Sequence, residues 1–355
     1  MDITHLQWYP GHMTKAKRAM QEDLKLVDLI IELLDARVPV SSRNPDIDRL
    51  GQGKARLVLL NKADLAEDAQ TERWKQWFLR RGIQAVRLDA RDRNTFKQIN
   101  SAVAEACKEK TQRDLRRGIK NRPVRAMAVG IPNVGKSTFI NSFAGRASAK
   151  TGNKPGVTKG NQWIRLGKSL ELLDTPGILW PKFEDEQVGL HLAYIGSIND
   201  DILDKTQLAV AFIGEICGLA PHALPDRYAS QAAGGGGGHP PAKEVGGLAA
   251  DGQAAGGDGG HPPAREVVGL ADDGQAAGGG GKQATDESDE TAQVADGWTD
   301  GGGDVDTYGV AWLEKIATVR GCLKKGGVAD IDKAALLLFD DYRSGRLGRI
   351  TLERA

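Results

Sequence analysis

Cysteine is scarce in this chain. Cys107, Cys217 and Cys322 are far apart and odd in number. They form neither a disulfide framework nor a zinc site, and they fit a reducing compartment. Long apolar runs are missing too. The opening stretch MDITHLQWYPGHM lacks the apolar core of a signal peptide, and no run approaches the length of a bilayer span. These absences exclude the secreted disulfide scaffolds and the membrane-spanning class, and lead us to expect a soluble, cytoplasmic protein with no membrane partner. Net charge is nearly absent, at +1, but that value averages two unlike regions. Residues 229–306 hold 14 acidic and 3 basic side chains, which leaves 45 basic against 33 acidic elsewhere. The remainder is therefore basic, as in a protein that visits nucleic acid; a basic surface serving only solubility is the alternative.

What is present is a rhythm. Strand-like apolar runs at 26–36, 55–64, 84–90, 124–130 and 169–177 recur, most of them followed by a polar turn and a helical stretch. AEDAQTERWKQWFLRRG carries Trp74, Trp77, Phe78 and Arg81 at helical spacing, FKQINSAVAEACKEK reads as one helix, and Gly145 is placed to cap the helix before it. Alternating strand and helix predicts an α/β fold, a mostly parallel sheet with helices on both faces. After Gly177 the texture turns helical, which predicts a small all-α C-terminal domain.

That domain is interrupted. Residues 229–306 contain 22 glycines among 78 residues and an imperfect 22-residue repeat, with Gln231, Gln253 and Gln275 in step. Each repeat offers little more than valine and leucine to bury against the entropy of so much glycine, so a disordered acidic insert is expected rather than a solenoid. His239 and His261 stand isolated from other metal ligands. The expected domains are thus 1–180, then 181–228 joined with 307–355, with 229–306 as the insert.

The chemistry lies in five short stretches. GIPNVGKST (130–138) fills the phosphate-loop pattern with Gly130, Gly135, Lys136 and Ser137. Between a strand and a helix, its amides and the helix N-terminus would cradle phosphates, lined by Asn133, Val134, Gly135 and Thr138. Lys136 would reach the β- and γ-phosphates and Ser137 would ligate Mg²⁺. Asn61-Lys62-Ala63-Asp64 is the N-K-x-D form of guanine readers, since the Asp64 carboxylate can accept from guanine's ring N–H and exocyclic amine; capping the following helix is its alternative. Asp89-Ala90 occupies the place of a loop backing the base. Asp174-Thr175-Pro176-Gly177 offers a Mg²⁺ carboxylate and a γ-phosphate amide, and Thr158 in KPGVTKG is either a switch threonine on Mg²⁺ or an ordinary loop residue.

The order of these stretches is unusual, because the base reader precedes the phosphate loop. It is the GTPase set cut and rejoined. The chain resembles the circularly permuted GTPases of the bacterial YlqF/RbgA family over WYPGHM, DARVPVSSRNP (35–45), the nucleotide motifs and the closing RSGRLGRITLE. The glycine-rich insert is outside that pattern. The resemblance implies GTP and GDP as ligands and GTP hydrolysis as the activity. It also implies a large ribosomal subunit precursor and its rRNA as partners, with action as a monomer. In ordinary GTPases a glutamine after DxxG orients the attacking water; this chain has Ile178, which predicts slow unassisted hydrolysis. The resemblance implies His12 as the substitute, with a capping or packing role at the first helix as the alternative, and K⁺ at Asn133 as a second aid. Lys15, Lys17, Arg18, Arg37, Arg43, Arg343, Arg346 and Arg349 are the basic groups expected to face RNA. A nucleotide-gated RNA-binding scaffold and a GTPase acting on another RNA remain as rival readings.

Overall fold

β1 (Leu29–Asp35) is buried at every residue, the pattern of a central parallel strand covered on both faces. The computed structural model describes residues 20–120, 122–145, 162–166, 169–175, 185–198, 204–228 and 305–355. Their strands are completed by β2 (Ala55–Asn61), β3 (Gln84–Arg87), β4 (Val124–Gly130), β5 (Gln162–Leu166) and β6 (Leu170–Asp174). They form one sheet in the order β3-β2-β1-β4-β6-β5, parallel throughout except for the β5–β6 pair. From β1 the chain steps outward to β2 and β3; from β4 it leaves the other way, to β6 and β5. The switch point, where ligands of such sheets bind, therefore lies beyond the carboxyl ends of β1 and β4.

Alternate residues of each strand serve opposite faces. Leu29, Ile31 and Leu33 share a core with Ile99 and Val103 of α3 (Phe96–Ala106) and with Phe139 and Ile140 of α5 (Lys136–Ala144). Ile30 turns the other way, toward Met20, Leu24 and Ile47 of α1 (Asp46–Leu50), and Leu34 toward Trp74 and Phe78 of α2 (Asp68–Leu79). Helices on both faces are thus a consequence of the two-residue strand period. Phe78 is fully buried, and its truncation to alanine would cost about 3–5 kcal/mol.

Two local expectations need correction. The stretch read as one helix breaks at Cys107, whose φ of −100° and ψ of 10° separate α3 from α4 (Lys108–Arg116). The antiparallel strand β5 was not expected at all, although Gln-Trp-Ile-Arg-Leu alternates, with Ile164 and Leu166 buried and Trp163 and Arg165 exposed. Gly145 does cap α5, in the left-handed conformation at φ +67°.

Beyond the sheet follow α6 (Glu186–Tyr194), α7 (Lys205–Leu219), α8 (Ala223–Tyr228), α9 (Val305–Val319) and α10 (Ile331–Arg343). Asp185, Asp204 and Asp330 cap three of these helices, each accepting from a backbone N–H of the first turn. Tyr194, Phe212, Phe339 and Tyr342 pack in the middle at centroid spacings of 4.8 to 6.1 Å. The chain then returns to the sheet: Ile350 N–H donates to Leu65 O at 3.2 Å and Leu352 N–H to Arg37 O at 2.9 Å. All described residues belong to one compact unit. Among them no helix is long and apolar enough to cross a membrane. Most of the glycine-rich stretch 229–306, with His12, Thr158, Gly177, Ile178, Lys15, Lys17 and Arg18, lies outside the described residues.

Candidate nucleotide site

The phosphate loop leaves β4 at Gly130 and enters α5 at Lys136. Gly135 is required twice over: its φ is +92°, and a Cβ there would lie 2.5 Å from Asn61 Nδ2. Asn133 adopts the left-handed conformation at φ +59°, which asparagine tolerates better than most residues.

Lys136 is buried and ion-paired with Asp174 at the end of β6. Burial pulls the lysine pKa down, and the Asp174 carboxylate opposes that pull. The site thus joins the phosphate-loop cation to the expected Mg²⁺ carboxylate, with Ser137 on the first turn of α5. Among the described residues no group of His, Cys, Asp and Glu could hold a metal by itself. One carboxylate and one hydroxyl suit Mg²⁺, a hard ion held largely by phosphate oxygens and water.

Asn61 does something the sequence did not reveal. It is buried at the end of β2, where Nδ2 donates to Val134 O at 2.7 Å and Oδ1 accepts from Ala90 N–H at 3.1 Å. It fastens the phosphate loop to the Asp89-Ala90 loop. Ala63 N–H bonds Leu88 O at 3.1 Å, closing the same corner. Lys62 stands at φ +57° with Nζ 3.0 Å from Asp35 Oδ2. Asp64 accepts from the Arg91 guanidinium, which also donates through Nε to Asp89 at 3.0 Å. The expected guanine acceptor is therefore paired with an arginine, whose planar N–H fork resembles the edge of the base.

Behind Lys62 is a second buried pair. Arg37 donates to Asp35 from Nε at 2.9 Å and from Nη2 at 2.8 Å, and its guanidinium lies 4.9 Å from the Tyr342 ring centroid. Burial would raise the Asp35 pKa, but Arg37 and Lys62 outweigh it and hold it well below the usual carboxylate range. Arg37 is 1 % exposed, so it does not face RNA. The other expected RNA groups among the described residues also have protein partners. Arg43 reaches Asp48 and Glu32, Arg346 reaches Asp340 and Asp341, and Arg349 reaches Asp68. Arg343 donates to Tyr194 O at 2.8 Å and to Ala193 O at 2.7 Å.

The phosphate loop also touches the helical region. Asn133 Nδ2 donates to Gly196 O at 2.7 Å, and Ser197 Oγ donates to Pro132 O at 2.9 Å. Arg343 backs the same turn, since a Cβ on Gly196 would sit 3.1 Å from its guanidinium. A polar latch completes the docking. Glu353 accepts from Val40 N–H at 2.5 Å and Ser41 N–H at 2.8 Å, while His191 bridges to Ser41 Oγ at 3.0 Å, Glu353 at 3.2 Å and Glu215 at 2.7 Å. Burial would lower the His191 pKa, but the hydrogen bonds and charges of Glu215 and Glu353 raise it to about 9. Asp35, Arg91 and His191 had no role in the motif reading, and Arg37 figured only as a basic group expected to face RNA. Only the DARVP string near a strand end hinted at Asp35 and Arg37.

A phosphate-loop motif after the central strand β4, the N-K-x-D motif upstream at the end of β2 and Asp174 beside the loop lysine define a circularly permuted P-loop GTPase. Residues 125–213 match the family described as 50S ribosome-binding GTPase, so the match opens at β4 and leaves Asn61–Asp64 upstream, as a permuted order requires. Ribosome biogenesis GTPase A of Bacillus pumilus is 36% identical over 349 residues, 98% of both chains. Its counterpart in Bacillus cereus is 51% identical over 223 residues, 63% of this chain and 75% of the other. The crystal structure of GNP-bound YlqF from Thermotoga maritima shares the fold, with a TM-score of 0.53 at 22% identity over 96% of this chain and 98% of that one. The chain belongs to the ribosome biogenesis GTPase A family.

Proposed function

We propose that this GTPase binds GTP along the carboxyl edge of its sheet and hydrolyses it to drive a late step in assembly of the large ribosomal subunit. It would act as a monomer on a subunit precursor and its rRNA. Lys136 carries the β- and γ-phosphates, and Asp64 reads guanine once Arg91 gives way. Ser137, Asp174 and Thr158 hold Mg²⁺, which neutralises phosphate charge when bound. Gly177 offers its amide to the γ-phosphate, His12 orients the attacking water in place of Ile178, and K⁺ at Asn133 adds positive charge.

The observation that carries this reading is the contact between phosphate loop and helical region. Asn133 and Pro132 bond the Gly196–Ser197 turn directly, so a change at the phosphates has a short path to the helices. In this reading residues 1–180 are the nucleotide domain, and 181–228 with 307–355 are the part that engages the subunit. The test is GTP hydrolysis with no subunits, small subunits and large subunits, in K⁺ and in Na⁺, beside His12→Ala. Stimulation by large subunits alone, lost in the variant, is expected. Equal rates in all three conditions would favour the scaffold reading, which the isoleucine at position 178 makes the strongest rival.

A further inference from the structure

α4 has no packing role: not one of its residues is buried. α3 already carries the crossover from β3, with Ile99 and Val103 in the core. A helix this short does not persist on propensity alone, and α4 is fixed at both ends instead. Lys110 Nζ lies 2.7 Å from Asp114 and 3.4 Å from Asp28, which precedes β1. At the far end Gly118 takes φ +78°, with Ile119 N–H on Asp114 O at 3.0 Å and Gly118 N–H on Leu115 O at 3.0 Å. This pair of bonds is a Schellman closure. The sequence therefore specifies a definite, solvent-facing arm.

The arm presents Arg113, Arg116, Arg117 and Lys120, all exposed. The first three share one helix face by their three- and four-residue spacing. None of the four makes an ion pair with a described residue, unlike the basic groups around the nucleotide site. Like charges at this spacing repel, so the cluster does not stabilise the helix by itself. The helix dipole favours cations in the last turn, which covers Arg113 and Arg116 but not Lys120, beyond the cap. Arg125 at the start of β4 is not part of this unpaired set: it pairs with Glu171 at 3.2 Å and lies 5.5 Å from the ring of Trp163, exposed on edge strand β5. Asp28 and Arg125 mark the amino ends of the strands, the edge opposite the nucleotide.

We propose that α4 and the turn after it are a docking surface for the phosphate backbone of RNA, here the rRNA of the large subunit. This rests on the assembly role proposed above. Arginine forks fit phosphate oxygens, and such contacts position a protein on RNA without reading its sequence. Leu115 and Ile119 are lone exposed side chains rather than an apolar patch of the kind a protein interface needs.

The test is binding of the full-length protein to purified large subunits and to isolated large-subunit rRNA across a salt series. A variant with Arg113, Arg116, Arg117 and Lys120 all changed to Gln keeps helix propensity. It should bind both about tenfold or more weakly near 0.15 M salt, with a salt slope shallower by roughly 2–4. Its GTP hydrolysis without ribosomes should not change, and Arg→Lys at the three arginines should keep the slope. Wild-type affinity and slope in the Gln variant would overturn this surface and leave the assembly role standing. Failure of the wild type to bind subunits at all would overturn both. Loss of subunit binding by the variant, with no wild-type binding to isolated rRNA, would overturn the choice of RNA in favour of a ribosomal protein.

Discussion

The nucleotide site and the α4 arm hold cations of different kinds. At the carboxyl edge Lys62, Lys136, Arg37 and Arg91 each face a carboxylate: Asp35, Asp174, Asp35 again and Asp64. On the α4 arm at the amino edge, Arg113, Arg116, Arg117 and Lys120 are exposed and make no ion pair with a described residue. A paired cation is aimed before any ligand arrives, and its loss strands the carboxylate it served. An unpaired cation is aimed by nothing except the element that carries it, and its loss should be felt only by a partner. Changes at the carboxyl edge should therefore move catalysis and stability together, and changes at the amino edge should move neither.

The largest break comes at Lys136. Lys136→Ala removes the proposed donor to the phosphates and takes from Asp174 its buried ion-pair partner. Hydrolysis should fall on the order of 10²–10³-fold in a steady-state assay, with the salt slope of RNA binding unaltered. Arg37→Met tests a pair that touches no nucleotide. It should cost about 3–5 kcal/mol, which in a thermal melt is a fall in Tm of roughly 10 °C.

His191 sharpens the contrast through pH. Its pKa is raised from 6.5 to about 9 in the fold by Glu215 and Glu353, with burial opposing them. The protonated ring donates from both nitrogens, so its contribution is complete below pH 6.5 and is lost as pH rises through 9. On the order of 3 kcal/mol should disappear over that interval, and His191→Gln should flatten the decline seen by denaturant titration. Arg91→Ala should act more gently, because an exposed pair is worth about 0.2–1 kcal/mol. With the competitor for Asp64 removed, GDP should bind tighter by no more than about fivefold in a fluorescence titration. Smallest of all, the α4 glutamine variant should melt within about 0.5 kcal/mol of wild type.

Much of this was legible in the sequence because some residues are constrained by backbone geometry alone. Gly130, Gly135, Lys136 and Ser137 must keep their spacing for a loop to wrap phosphates, and buried parallel strands read as unbroken apolar runs. The core strands and the permuted motif order were visible for that reason. The Asn61 motif pointed to the base, while the bonds its side chain makes to the two loops are contacts across 29 and 73 residues that no motif spells out. The Glu353 latch spans more than 300 residues to Val40, a separation at which composition and periodicity carry no information. Arg37 and Arg43 counted as surface charge because a sequence lists charges without their burial. The α4 cluster went unweighed because Cys107 hid a helix break inside a continuous helical pattern.

In the proposed function the nucleotide at the phosphate loop decides, through Asn133 and Gly196, how the helical region meets its partner. The direct measurement is the affinity of the protein for purified large subunits with a non-hydrolysable GTP analogue and with GDP. Binding should be at least tenfold tighter with the analogue, a coupling of about 1.4 kcal/mol, with a narrower gap in Asn133→Ala. Equal affinity in both nucleotide states would refute the coupling.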